Sequence, residues 1–347
     1  MDSNNLDKKS SLLEGIFNKK ASILIVIGIL ARIFMLLYYY YTHTVDPNRS
    51  WGDMGSYYVE NLTSTPLTIA LLILFRILSF GKIEIFIFWG FFWDLLTCLI
   101  FYFVLKNFDI KQKNYMFGLF LINPFFFLTN SFSIENCGYH ITDAFFLFFL
   151  LMAFIYYPKE KINARYLFYI FLGISMCIKY YTLPAVGFFF IKYLYERNWK
   201  DFKIFLVGVI PILILFFIIP LIIFDWFYNS LFNWYSLGVR TPLYLRIIPA
   251  ASIFLLFILF RLHKSDHIEI SILSIITLGT FMFFSYPYLR WFQAAIFYGI
   301  LKEKEFSVIN LKFGNIKREI EITNHILTFI FSIFAVVLAY FFILFVH

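Results

Sequence analysis

Charge is scarce in this 347-residue chain: 14% of residues are Asp, Glu, Lys or Arg, while 61% are hydrophobic. That balance excludes an ordinary soluble domain. Cysteine is scarce too. Cys98, Cys137 and Cys177 are scattered and odd in number, so they supply neither a disulfide framework nor a metal spacing. A glycine-rich phosphate loop is missing, which removes the usual nucleotide cradle. No internal repeat is evident, which counts against an inverted-repeat transporter. A cleavable signal peptide is not expected, because the first apolar run is too long and contains Arg32.

What remains is apolar sequence in runs of about 20 residues, repeated along the chain. The expected class is an all-α polytopic membrane protein; a barrel would show short alternating segments. The 50 Phe and 24 Tyr fit compositional drift better than a cofactor box. The net charge of +8 points to basic loops on the cytoplasmic side rather than to nucleic acid.

Residues 1–20 read as a basic cytoplasmic arm (Lys8, Lys9, Lys19, Lys20), and residues 21–347 as one transmembrane domain. Residues 21–41 form the first span, which places loop 43–65 outside. Residues 66–80 are apolar but short and include Arg76. If they cross, the lysines of the later loops fall outside. If they lie along or dip into the outer face as a short juxtamembrane helix, the basic segments 106–114, 158–165, 196–203, 261–264 and 302–318 all fall inside. The second choice is adopted. The spans are then 83–105, 115–133, 142–157, 165–183, 184–195, 204–224, 245–262, 268–285, 286–301 and 324–346, about eleven in all. Pro184 either kinks one long helix or separates two. Segment 302–323 reads as an amphipathic surface piece.

The external side then collects Asp46, Asp53, Glu135, His140, Asp143, Asp225, Arg240 and Arg290, with hardly a lysine. Asp53 stands between two glycines in Trp51-Gly52-Asp53-Met54-Gly55. Glycines let a backbone approach a ligand closely, and a carboxylate at an apolar boundary gains basicity. On residue type alone, a solvated acid in a glycine turn is the commoner explanation. Asp94 lies inside a span, where pairing with an Arg or Lys is the usual solution and function is the alternative. Asp143 heads a helix, a position that favours a carboxylate as a cap or as a ligand group. Lys179, with Tyr180 and Tyr181, suits a lipid phosphate or simple snorkelling. Arg240 lies in an aromatic loop, and Tyr288-Leu289-Arg290-Trp291 forms a further cluster; an aromatic belt explains the rings but not the two arginines. Glu135 and His140 are too dispersed to make a metal site.

In this order the fragments resemble the catalytic subunit of GPI mannosyltransferase I and, more broadly, lipid-phosphosugar-dependent glycosyltransferases of the GT-C fold. Asp53 with Tyr57-Tyr58 is similar to that family's acidic first external loop. Phe80-Gly81-Lys82 with Asp94-Leu95-Leu96-Thr97 resembles its second-span signature, and Asn123-Pro124 with Gly138 and Asp143 its third external segment. Gly173, Lys179-Tyr180 and Pro184 resemble its Lys-aromatic-Pro element. Trp226, Tyr235 and Arg240, then Tyr286, Tyr288, Arg290 and Trp291, resemble its late loops. The family's paired Asp-x-Asp is reduced here to Asp53, with Gly55 in the second place, the stretch from Ser131 to Asp143 is longer, and Arg290 interrupts a Tyr-x-x-Trp run.

The resemblance implies a GT-C-like bundle with an external first loop. It implies inverting transfer of mannose or another hexose from a dolichyl or polyprenyl phosphate to a lipid- or glycan-linked acceptor. In that reading Asp53 is the catalytic base. Tyr57, Asp143, Lys179, Tyr180, Arg240, Tyr288, Arg290 and Trp291 bind substrate, and Asp94 is the intramembrane group. No cofactor is required; a divalent metal is compatible but not indicated. A small accessory membrane subunit fits the family. The location would be the plasma membrane of a prokaryote or the endoplasmic reticulum of a eukaryote, with the site on the external or lumenal face. The rival readings are a secondary transporter and a non-catalytic assembly subunit.

Overall fold

A computed structural model describes residues 3–45, Tyr58, 65–110, 113–122, 141–157, 161–229, 243–283, 305–313 and 316–323. Through residue 283 its elements are helical: α1 (Ser3–Val45), α2 (Pro66–Leu78), α3 (Ile83–Asn107), α4 (Lys113–Leu121), α5 (Ile141–Tyr156), α6 (Ile162–Ile178), α7 (Pro184–Tyr195), α8 (Trp199–Leu213), α9 (Ile219–Ile223), α10 (Leu243–Phe260) and α11 (His267–Phe283). A π-helical turn, Ile214–Ile218, joins α8 to α9 between Pro211 and Pro220. Prolines that remove helical hydrogen bonds are a standard cause of such a register change.

The helices are apolar on the outside. On α1, Ala21, Arg32 and Leu36 are buried, while Val26, Leu30, Phe34 and Leu37 are exposed. The buried positions form one stripe at helical spacing; the opposite face suits lipid tails. Among the described residues, three helices are long and apolar enough to cross a membrane: residues 20–38, 83–107 and 199–223. The pair α6–α7 adds a fourth if its two halves form one span. Pro66–Leu78, Ile141–Tyr156, Ile247–Phe260 and His267–Leu278 are apolar but shorter. The expected spans 286–301 and 324–346 lie outside the described residues.

Small residues set the closest helix contact. A Cβ on Gly28 would stand 2.5 Å from the Leu121 Cβ, and one on Gly118 would stand 2.7 Å from the Leu24 Cβ. Helices in lipid associate through such close backbone approach, so α1 and α4 pack at these two positions.

The basic loops gather at one end of the bundle. Asn107 Nδ2 donates to the carbonyls of Ile155 and Tyr157, both at 3.0 Å. Arg165 pairs with Asp201, and Lys192 Nζ donates to the Leu262 carbonyl at 3.2 Å. The connections after α3, α5, α7 and α10 therefore meet at a single end, hereafter the basic end.

The region of α2 sits at the opposite, far end. Thr65, which N-caps α2, bonds the last residue of α6. The turn after α2 leads straight into α3, with Phe80 at φ 51° and Gly81 at φ 67°. Phe75 packs against Trp89 in α3 and Phe145 in the first turns of α5, at centroid distances of 4.8 and 5.7 Å. Both ends of α2 are thus held at one end of the bundle.

Between α6 and α7 the chain turns by 118°. Pro184 is the first residue of α7 and Tyr180–Thr182 form a 3₁₀ turn, so the proline opens a second helix instead of kinking one. Segment 302–323 contains an antiparallel hairpin, β1 (Glu305–Phe313) with β2 (Ile316–Thr323). Its register pairs Ile309 with Ile320 and Phe313 with Ile316.

Candidate functional site

Polar groups converge at the far end, where α6 stops. The last carbonyls of a helix have no partner within it. Ser175 O takes the Lys179 N–H, and Ile178 O accepts from two hydroxyls, Thr65 Oγ1 at 2.9 Å and Thr68 Oγ1 at 2.7 Å. Ser175 Oγ meets Thr182 Oγ1 at 3.3 Å, which staples the 3₁₀ turn to the helix it follows. Lys179 is thereby fixed in extended backbone, at φ −140° and ψ 126°.

The Lys179 ammonium pairs with Asp143. It also donates to the Tyr181 hydroxyl at 3.3 Å and lies 5.2 Å from the centre of that ring. Asp143 is 1% exposed and stands in the first turn of α5, where the helix dipole favours negative charge. The structure thus brings together two residues that sequence reading selected separately. Tyr180 follows directly and is half-buried, its ring 6.4 Å from that of Tyr181.

An aromatic wall adjoins this pair. Phe145, two residues beyond Asp143, packs edge-on against Trp93 at 4.8 Å, and Phe75 fills the space between Trp89 and Trp93. The two indole N–H groups are buried and have no hydrogen-bond partner among the described residues. Sequence reading passed over both tryptophans, although their spacing of four places them on one face of α3.

Asp94 is paired inside the bundle. Arg32 Nε donates to its Oδ2 at 2.8 Å, and Arg32 Nη1 donates to Gly28 O at 3.2 Å and to Leu121 O. Arg32 is 1% exposed. A lone arginine in the first apolar run was the available signal for this pair.

Asp53, Tyr57, Arg240, Tyr288, Arg290 and Trp291 lie outside the described residues. Described residues on either side of the first loop lie at the far end. Tyr40 in α1 meets Phe88 at 6.0 Å, near the far end of α3. Tyr58 packs edge-on against Phe86 at 5.7 Å, donates to Gly81 O and sits under the Arg76 guanidinium at 5.4 Å. Thr65 bonds α6 at the same end. Asp53 precedes Tyr58 by five residues in the sequence.

Among the described residues no group of three His, Cys, Asp or Glu is placed to hold a metal ion. Several helices are long and apolar enough to cross a membrane, as in a helical integral-membrane protein. In comparisons with known proteins, no family model, curated protein or solved structure matches the chain.

Proposed function

We propose that the chain is an integral-membrane inverting glycosyltransferase of the GT-C type, similar to the catalytic subunit of GPI mannosyltransferase I. It moves mannose or another hexose from a dolichyl or polyprenyl phosphate to a lipid- or glycan-linked hydroxyl. About eleven crossings, with α2 as a juxtamembrane helix, put the far end on the external or lumenal face. The observation that carries the reading is the position of Lys179. It is a cation held by Asp143 at the bundle end where Tyr40, before the Asp53 loop, and Tyr58 and Thr65, after Asp53, make their contacts.

In the reaction the acceptor oxygen bonds to the anomeric carbon as the bond from that carbon to the phosphate oxygen breaks. Asp53 takes the hydroxyl proton. The electron pair leaves with the lipid phosphate, whose growing charge Lys179, Arg240 and Arg290 stabilise. The ring passes through a cation-like transition state, as in glycoside chemistry. Tyr57, Tyr180, Tyr288 and Trp291 supply aromatic faces and hydroxyls for the sugar and its carrier, and the apolar wall around Phe75 suits a prenyl tail.

The test is transfer from a radiolabelled lipid-phosphate sugar to crude lipid acceptor in membranes expressing the chain. Parent activity should be lost in Asp53→Asn. Transfer at the parental rate by that variant removes Asp53 as base, and absence of transfer by the parent with every donor overturns the reading. A transporter is the second reading, favoured by the 118° break between α6 and α7, because broken helices build transporter sites. It predicts uptake by reconstituted vesicles and no transfer.

A further inference from the structure

At the basic end, opposite the proposed reaction site, a cavity of about 150 Å³ lies between α10 and α11. Cavities of about this volume hold one benzene-sized molecule, so it is large enough for a head group and too small for a whole lipid.

Its lining is graded. Arg261, Ser265 and Glu269 stand at the level of the α10–α11 turn, and Phe257, Ile272 and Ile276 stand one to two helical turns deeper. The gradient runs the same way on both helices. Alongside it, α10 exposes Leu255, Leu256, Leu259 and Phe260, at 56%, 56%, 67% and 65%. Charge at the water level, apolar walls below and an apolar ridge beside them match the polarity profile of a phospholipid in the leaflet on the basic side.

The charges narrow the class of lipid. Arg261 presents a guanidinium fork that matches phosphate oxygens. Glu269 adds a carboxylate to the same cavity, which attracts an ammonium and repels a purely anionic head. Glu269 is itself fixed by a reciprocal cap: its N–H donates to Asp266 Oδ1 at 2.8 Å, and its Oε2 accepts from the Asp266 N–H at 3.2 Å. The carboxylate therefore holds its place without a ligand.

We propose that this cavity is a lipid site for a phospholipid carrying both a phosphate and a primary ammonium, of the phosphatidylethanolamine class. Arg261 takes the phosphate, Glu269 the ammonium, and the acyl chains run down the Phe257–Ile276 wall. The proposal is independent of the glycosyltransferase reading.

The full chain would be purified, stripped of lipid and mixed with equimolar phosphatidylethanolamine, phosphatidylglycerol and phosphatidylcholine. Retained lipids would be counted by native mass spectrometry. The parent should hold phosphatidylethanolamine over phosphatidylglycerol by about tenfold, the worth of one charge-assisted hydrogen bond. Glu269→Gln, which preserves the cap because glutamine serves there equally, should erase that preference while retaining lipid. Arg261→Ala should lower retention of all phospholipids, and Ile276→Phe, which fills the apolar end, should do the same. Retention of the three lipids in the proportions supplied, as expected if another part of the chain fills the cavity, overturns the proposal. So does a Glu269→Gln protein with the parental preference.

Discussion

Replacing Asp94 by leucine tests how the bundle keeps charge at depth. Asp94 and Arg32 meet at 2.8 Å with Arg32 almost wholly enclosed. At that separation and an effective dielectric of about 20, their attraction is about 6 kcal/mol before desolvation is subtracted. Breaking a buried pair by removing one partner costs about 3–5 kcal/mol. Here Arg32 keeps two carbonyl acceptors, Gly28 O and Leu121 O, so Asp94→Leu should fall at the low end, about 3 kcal/mol, close to insertion costs for an unpaired arginine at a helix centre. Removing both charges in Arg32→Met/Asp94→Leu should recover most of that loss and leave the protein within about 1 kcal/mol of the parent. The assay is unfolding in mixed micelles with rising dodecyl sulfate, followed by tryptophan fluorescence, with the two single variants and the double forming a cycle. The coupling energy should be at least about 2 kcal/mol, the part of the Asp94→Leu loss that the second substitution recovers, and larger by whatever Arg32→Met costs alone. An Asp94→Leu protein within about 0.5 kcal/mol of the parent, or a double variant as unstable as the two singles added, would refute the reasoning.

Other expectations follow from single contacts. Gly118→Val should separate α1 from α4 and cost more than the about 1–3 kcal/mol typical of overpacking, because the new Cβ would meet the Leu24 Cβ at 2.7 Å and the Ala21 carbonyl at 3.3 Å; the same unfolding titration reads it. Thr65→Val combined with Thr68→Val leaves Ile178 O without its two hydroxyl donors, which should cost about 1–3 kcal/mol; Thr68→Val alone should cost less than half as much, and Thr65→Val alone more than Thr68→Val, because it also removes the N-cap of α2. Lys179→Met should reduce sugar transfer by about 10²–10³-fold, the usual loss when one stabiliser of developing charge is removed, and Arg should restore more of the rate than Met does.

The membrane class and the gathering of basic loops were legible because both follow from composition: basic residues cluster in the connections between helices and apolar residues fill the helices. The position of Asp143 in a first turn was legible because caps act locally; Pro184 marked a break, but whether it kinks one helix or opens a second was decided only by the 118° turn between α6 and α7. The partner of Asp143 was not, since nothing in the sequence links residue 143 to residue 179 except the packing of α5 on α6. The same holds for Thr65 and Thr68, which read as ordinary loop and helix threonines until the end of α6 is placed against them. A short period of two is present inside the hairpin at 305–323, where Ile309, Leu311 and Phe313 alternate with Asn310 and Lys312, in contrast to the helical pattern before it. The spacing of Trp89 and Trp93 puts both on one face of α3, but their packing against Phe75 and Phe145 depends on where α2 and α5 lie.

The central claim is that Asp53 and Lys179 share one end of the bundle, and a distance tests it most directly. Spin labels would be placed at Asp53→Cys with Tyr180→Cys, and at Asp53→Cys with Asp109→Cys, after Cys98, Cys137 and Cys177 are replaced. Asp109 follows α3 at the basic end and is exposed. The hydrocarbon core separating the two ends is about 30 Å thick. The account predicts a 53–180 distance well below that thickness and a 53–109 distance at or above it. Label 53 found nearer to 109 than to 180 would contradict it.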